Sequence, residues 1–191
     1  MENKNKAIFL DRDGTINVEK NYLYKIEEFE FLTGVIDGLK KLQELGYKLI
    51  IVTNQSGIAR GYYSEKDYYT LTNWMLNHMK ELSVNIDKVY FCPHHPNASV
   101  LKYRLDCDCR KPKLGLYKKA ICDFNISLSQ SYVIGNKICD CALCERTKCR
   151  GFLTGQNEKN NIIRDVKLGR VRNVRYMDSF FNCVEQIIIE S

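Results

Sequence analysis

Short apolar runs, many of them β-branched, alternate along the chain with longer segments whose apolar residues recur at helical spacing. Ala7–Leu10 and residues 49–52, 89–91, 132–134 and 152–153 predict strands. Between the first two, Val35, Leu39, Leu42 and Leu45 share one helical face, and Gly46 ends that segment. A second helix is predicted to open at Ser64, with Asp67 three residues on as in a capping box. Its apolar stripe is Tyr68, Leu71, Met75, Met79 and Leu82. A third helix is expected over about 116–124, a fourth after Asn136, and a last one after Asp178 carrying Val184, Ile187 and Ile188. Strand and helix alternating in this way call for an α/β fold, a mostly parallel sheet with helices on both faces. With no internal repeat or low-complexity linker, the expectation is one domain over residues 1–191. Ligands of such sheets sit beyond the carboxyl ends of the strands, which is where the polar motifs of this chain fall.

Composition narrows the class. At 45% hydrophobic and 27% charged residues, with only three prolines, the chain is globular rather than disordered or fibrous. The start, Met1 to Lys6, runs into only four apolar residues before Asp11, and no long apolar span follows, so the expectation is a cytoplasmic protein without membrane contact. Twenty-nine basic against 23 acidic residues give a net charge of +6. That excess suits an anionic substrate and equally suits solubility. The densest basic cluster, Arg170, Arg172 and Arg175, has no recognition motif around it, so no nucleic-acid partner is expected. No long heptad stands out, and a monomer is expected.

Four motifs carry candidate chemistry. Asp11-Arg12-Asp13-Gly14-Thr15 follows the first strand. Carboxylates at i and i+2 of an extended segment face the same side, so one can attack phosphorus while the other protonates a leaving oxygen. Read alone, the same residues make a solvated turn or a fragment of a calcium loop, although no ligand pattern of calcium-loop length follows. Thr53-Asn54-Gln55-Ser56-Gly57 follows the second strand, where a hydroxyl and free amides bind a phosphoryl oxygen or simply cap a helix. Arg110-Lys111-Pro112 sets two adjacent cations for a dianionic phosphate. Gly135-Asn136-Lys137-Ile138-Cys139-Asp140 follows the fourth strand, where a metal-binding carboxylate is expected.

In this order, and each at a strand end, the four motifs resemble the haloacid-dehalogenase phosphatases and their Rossmann-like fold. The stretches Asp11 to Asn17, Thr53 to Gly61, Cys92-Pro93-His94-His95-Pro96 and Cys107 to Pro112 further resemble the heptose bisphosphate phosphatase branch. The histidinol-phosphate branch shares the first and the cysteine motifs, and a phosphatase of that or another small phosphomonoester is the alternative. The resemblance implies Asp11 as nucleophile, Asp13 as acid and base, and Thr53 and Lys111 on the transferring phosphoryl oxygens. It implies magnesium between Asp11, the Asp13 backbone carbonyl and position 136. It places Arg12, Glu19, Lys20, Asn21, Tyr22, Asn54, Gln55, Ser56, Arg110 and Lys137 around a small anionic phosphosugar whose 7-phosphate is removed.

Nine cysteines are many for such a chain. Cys92 and His94, then Cys107 and Cys109 after twelve intervening residues, supply three thiolates and an imidazole, a tetrahedral structural set for zinc. His95 is an alternative ligand. The expected use is mechanical, because Cys109 immediately precedes Arg110 and Lys111. Cys139, Cys141, Cys144 and Cys149 read as free thiols on and under a helix, or as a second metal site. His78 reads as a surface histidine. One departure bears on function: Asn136 stands where the resembled family has aspartate, and an amide oxygen brings no charge to a hard cation. The expectation is an enzyme with a raised magnesium requirement, Asp140 compensating as an outer partner, or else an impaired phosphosugar-binding form.

Overall fold

The computed structural model describes residues 4–155 and 158–191. The reading of the segment that starts at Met1 therefore lies partly outside the described residues. Six strands form one parallel sheet: β1 (Ala7–Leu10), β2 (Lys48–Asn54), β3 (Lys88–Cys92), β4 (Tyr132–Gly135), β5 (Arg150–Thr154) and β6 (Val174–Met177), in the order β3-β2-β1-β4-β5-β6. The chain first winds outward from β1 through β2 to β3, then crosses back to β4 on the other side. The order of winding thus reverses beside β1, and a crevice opens there at the carboxyl ends of the strands.

Side-chain alternation along β1 divides the interior. Ile8 and Leu10 face one layer, with α1 (Val35–Glu44), α3 (Glu65–Glu81) and α7 (Phe180–Glu190) packed over them. Ala7 and Phe9 face the other, under α4 (Gly115–Asp123), α5 (Ala142–Arg146) and α6 (Asn160–Lys167). A short helix, α2 (Ser56–Arg60), follows β2 directly. Both faces of β1 are fully buried, so its four residues read as an unbroken apolar run.

The capping box at α3 forms as its sequence predicts: Ser64 Oγ accepts from the Asp67 amide, and Asp67 Oδ2 accepts from the Ser64 amide at 2.8 Å. Two elements go beyond the prediction. The strand β6 has only Val174 buried, too little for a strand to be read from its apolar residues, and α6 carries a short apolar face of Ile162, Ile163 and Val166 in an otherwise polar segment. The segment after Asn136 begins as a 3-10 turn, Ile138–Cys141, before α5 takes over. His78 stacks between Phe31 and Trp74 and meets Glu81 at 3.2 Å.

Candidate active site

The crevice beside β1 is a cavity of about 450 Å³ lined from four loops. After β1 the chain turns at Gly14, whose φ of 84° suits glycine, and the amides of Thr15, Ile16 and Asn17 fold back onto the Arg12 carbonyl. This turn holds Asp11 at the strand end while the chain leaves sideways. After β2, Thr53 and Asn54 stand beside it. The loop after β3 returns Arg110 and Lys111, and the loop after β4 supplies Lys137, Cys139 and Asp140.

Asp11 is buried and faces Lys111 Nζ at 2.7 Å. The same ammonium lies 2.6 Å from Asp140 Oδ1 and 2.7 Å from the Val52 carbonyl, so its three hydrogens all have acceptors. Burial, with Asp140 nearby, pushes the Asp11 carboxyl up to about 7 against the opposing pull of Lys111. The Lys111 ammonium is itself buried, but the two carboxylates beside it outweigh that and hold its pKa above the ordinary lysine value. Asn54 braces this lysine from behind: its amide donates to the Lys111 carbonyl at 3.1 Å and accepts from the Lys111 amide at 3.0 Å.

The residues expected around the substrate divide into two groups. Glu19, Asn21, Tyr22, Asn54, Gln55, Ser56, Arg110 and Lys137 line the cavity, as do Asp11, Asp13, Thr53 and Lys111. Arg12 and Lys20 do not. The Arg12 guanidinium is turned inward, fully buried, and forks onto both Asp13 oxygens at 2.9–3.1 Å, while Lys20 pairs with Glu30 on the surface. Tyr63 and Cys139 line the cavity without having been assigned a role there, and Asp140 lines it as well. Asp140 Oδ1 pairs with Lys111 and Oδ2 accepts from the Lys137 amide. Lys137 Nζ meets Glu19 at 3.2 Å at the mouth.

Asn136 lies buried just past β4, next to the end of β1, and neither its amide oxygen nor its nitrogen has a hydrogen-bond partner. A buried amide oxygen without a donor is an acceptor awaiting one. The donor types expected for the cation, the Asp11 carboxylate, the Asp13 carbonyl and the unpartnered Asn136 amide oxygen, are all oxygens and suit a hard divalent ion.

The second candidate metal centre lies on the loop after β3. The donor atoms of Cys92, His94, Cys107 and Cys109 lie within 4.8 Å of one another, with sulfur–sulfur separations of 3.0–3.5 Å and His94 Nδ1 3.3 Å from Cys109 Sγ. Burial pushes the Cys92 thiol above its ordinary value. The other candidate, His95, faces away: its Nδ1 accepts from the Asn97 amide and its Nε2 lies 3.4 Å from Arg60. Cys141, Cys144 and Cys149 are buried free thiols, and Cys139 is half-buried. Among the described residues no helix is long and apolar enough to cross a membrane.

A family model described as polynucleotide kinase 3 phosphatase matches residues 6–142, a span that holds all four motifs. A D-glycero-β-D-manno-heptose-1,7-bisphosphate 7-phosphatase from Haemophilus influenzae is 50% identical over 136 residues, 71% of this chain and 73% of that one. The chain belongs to the heptose-bisphosphate 7-phosphatase family. A family member named for the α anomer, from Photorhabdus laumondii, is also 50% identical, over 75% of this chain and 79% of its own. Identity alone therefore does not separate the anomers within the heptose-bisphosphate phosphatases. A HAD-like phosphatase from Mesorhizobium loti superimposes with a TM-score of 0.82 at 26% identity, covering 97% of this chain and 85% of that one. The D,D-heptose 1,7-bisphosphate phosphatase of B. bronchiseptica, solved with magnesium and phosphate, shares the fold at a TM-score of 0.80 and 24% identity, covering 97% and 99%.

Proposed function

We propose that the chain removes the 7-phosphate of D-glycero-D-manno-heptose 1,7-bisphosphate through an aspartyl-phosphate, on the route to nucleotide-activated heptose. The observation that carries this reading is the buried Asp11, fixed by Lys111 in a cavity whose lining also brings Arg110 and Lys137. An Asp11 oxygen attacks phosphorus, and the bond from phosphorus to the sugar oxygen breaks as Asp13 gives that oxygen a proton. Asp13 then takes a proton from water, which attacks the acyl phosphate and releases inorganic phosphate and free Asp11. Thr53 and Lys111 hold the phosphoryl oxygens through both steps. Magnesium, held by Asp11, the Asp13 carbonyl and Asn136, supplies charge neutralisation at the phosphoryl group when bound. Nine free cysteines in the fold agree with a cytoplasmic setting.

A sugar bisphosphate presents a second dianion, and Arg110 and Lys137 are the cations free to meet it once Lys137 leaves Glu19. Phosphate release should therefore favour the bisphosphate over heptose 7-phosphate by at least about tenfold in kcat/KM, the worth of one charge-assisted hydrogen bond. Equal rates on the two, or preference for histidinol phosphate, would reject the substrate assignment.

Zinc is the metal proposed for the Cys92, His94, Cys107 and Cys109 set, whose three sulfurs and one imidazole leave no open position. Its effect reaches the cavity through Arg110, which follows Cys109 and donates to the His94 carbonyl at 3.3 Å. Cys107→Ser should lose the bound zinc by elemental analysis and raise KM by roughly tenfold, with kcat changed less, because Arg110 depends on the clasp whereas Lys111 is also held by Asn54, Asp11 and Asp140. Unchanged KM in a zinc-free variant would count against the clasp.

A further inference from the structure

Asp13 receives donors from three side chains. Besides the Arg12 fork, Asn17 Nδ2 lies 3.1 Å from Oδ1 and Gln55 Nε2 lies 2.9 Å from Oδ2. Arg12 and Asn17 belong to the same turn as Asp13, so they travel with it. Gln55 stands on a different element, just past β2, and its nitrogen also donates to Thr53 Oγ1 at 3.0 Å. It is the contact that ties the proton-carrying carboxylate to the phosphoryl-binding hydroxyl.

A glutamine amide does this only in one of its two orientations, because its oxygen accepts and its nitrogen donates. Here the oxygen is fixed by two donors. Tyr63 O–H reaches Gln55 Oε1 at 2.5 Å, and Arg12 Nη2 reaches it at 3.3 Å. The shorter contact comes from a phenol that burial keeps protonated, and so a donor. The Tyr63 ring is held in turn by stacking on Tyr24 at 5.4 Å. It also passes so close to Gly57 that a β-carbon there would stand 2.2 Å from Tyr63 Cε1. The glycine following Ser56 thus makes room for this one ring.

We propose that Tyr63 is a positioning residue for the general acid, acting through Gln55, whose amide it orients so that Asp13 is held in place for the departing sugar oxygen. The inference rests on the phosphatase reading above, with Asp13 as acid. Tyr63 lines the cavity at 7% exposure, so the competing role is direct contact with the substrate. The two roles differ in what they do to leaving groups. A misplaced acid slows departure of a basic alkoxide and barely matters for an acidic phenolate, whereas a lost substrate contact or a general loosening lowers all rates alike.

The test is kcat/KM, which reads events only up to departure of the leaving group, on 4-nitrophenyl phosphate, phenyl phosphate and glycerol 3-phosphate, none of which needs the heptose. Tyr63→Phe keeps the ring and removes the hydroxyl. The expected result is a graded loss: less than about twofold on the nitrophenyl ester and about 10- to 100-fold on the alkyl ester, a fraction of what a general acid contributes. Gln55→Leu, which removes the relay itself, should show a gradient at least as steep, and is read alone if Tyr63→Phe does not fold. A uniform loss across the three esters, or none, overturns the proposal. Absence of Asp11-dependent turnover of any ester by the unmodified protein would instead reject the phosphatase reading.

Discussion

Exchanging Lys111 for methionine should remove turnover by about a thousandfold or more and destabilise the fold by about 3–5 kcal/mol. The ammonium is 1% exposed and lies between Asp11 and Asp140 at 2.7 and 2.6 Å. Methionine fills the space but leaves two carboxylates buried together, and one of them must then take up a proton. Asp11 is the candidate, since burial and Asp140 already raise it and Lys111 is what pulls it down. A protonated Asp11 is no nucleophile. The sign of the stability effect follows: a carboxyl whose folded pKa lies above its unfolded value stabilises below the unfolded value and loses that contribution as pH rises through the folded one. The deficit of the variant in denaturant unfolding should therefore widen as pH rises above about 7, where Asp11 of the unmodified protein ionises and that of the variant, without the pull of Lys111, does not. A deficit independent of pH would mean that the lysine acts by packing alone.

Asn136→Asp should lower the magnesium concentration for half-maximal activity by at least about tenfold, the effect of one added carboxylate ligand. In the proposed set Asp11 is the one charged ligand, with a carbonyl at Asp13 and an amide at Asn136. The side chain at 136 is buried with both amide atoms unpartnered, so aspartate fits the same space. The substitution has a cost that makes it testable without turnover. Without metal, a further carboxylate near Asp11 and Asp140 should lower Tm, while saturating magnesium should raise Tm by more than it does in the unmodified protein. Identical magnesium dependence in both proteins would remove position 136 from the metal site. Turnover only in the substituted protein would identify the present chain as a phosphosugar-binding form.

The sheet is legible where the chemistry is, because its central strands are buried on both faces and so read as unbroken apolar runs ending at polar motifs. The edge escapes that logic: the strand Val174–Met177 has one buried residue, and the helix Asn160–Lys167 carries an apolar face of only Ile162, Ile163 and Val166, about one turn long. In the site, residue type shows which positions are polar and not where they point. Arg12 between two aspartates reads as a substrate ligand, yet its guanidinium turns inward to Asp13, which only the turn after β1 dictates. Tyr63 reads as an apolar position, and its hydroxyl acquires meaning only when Gln55 is folded against it. Asp140 lies four residues past Asn136, yet the 3-10 turn swings it onto Lys111.

Every residue lining the cavity lies at or before Asp140, although the sheet continues through two further strands. Those last fifty residues work as ballast for the working edge: among the described ones, Phe152, Phe180 and Val184 pack with Tyr132 and Ile134, and Glu158 accepts from the Ile138 amide at 2.8 Å, while none lines the cavity. Substrate choice can therefore be retuned by exchanging four loops, with residues 141–191 left as a fixed chassis.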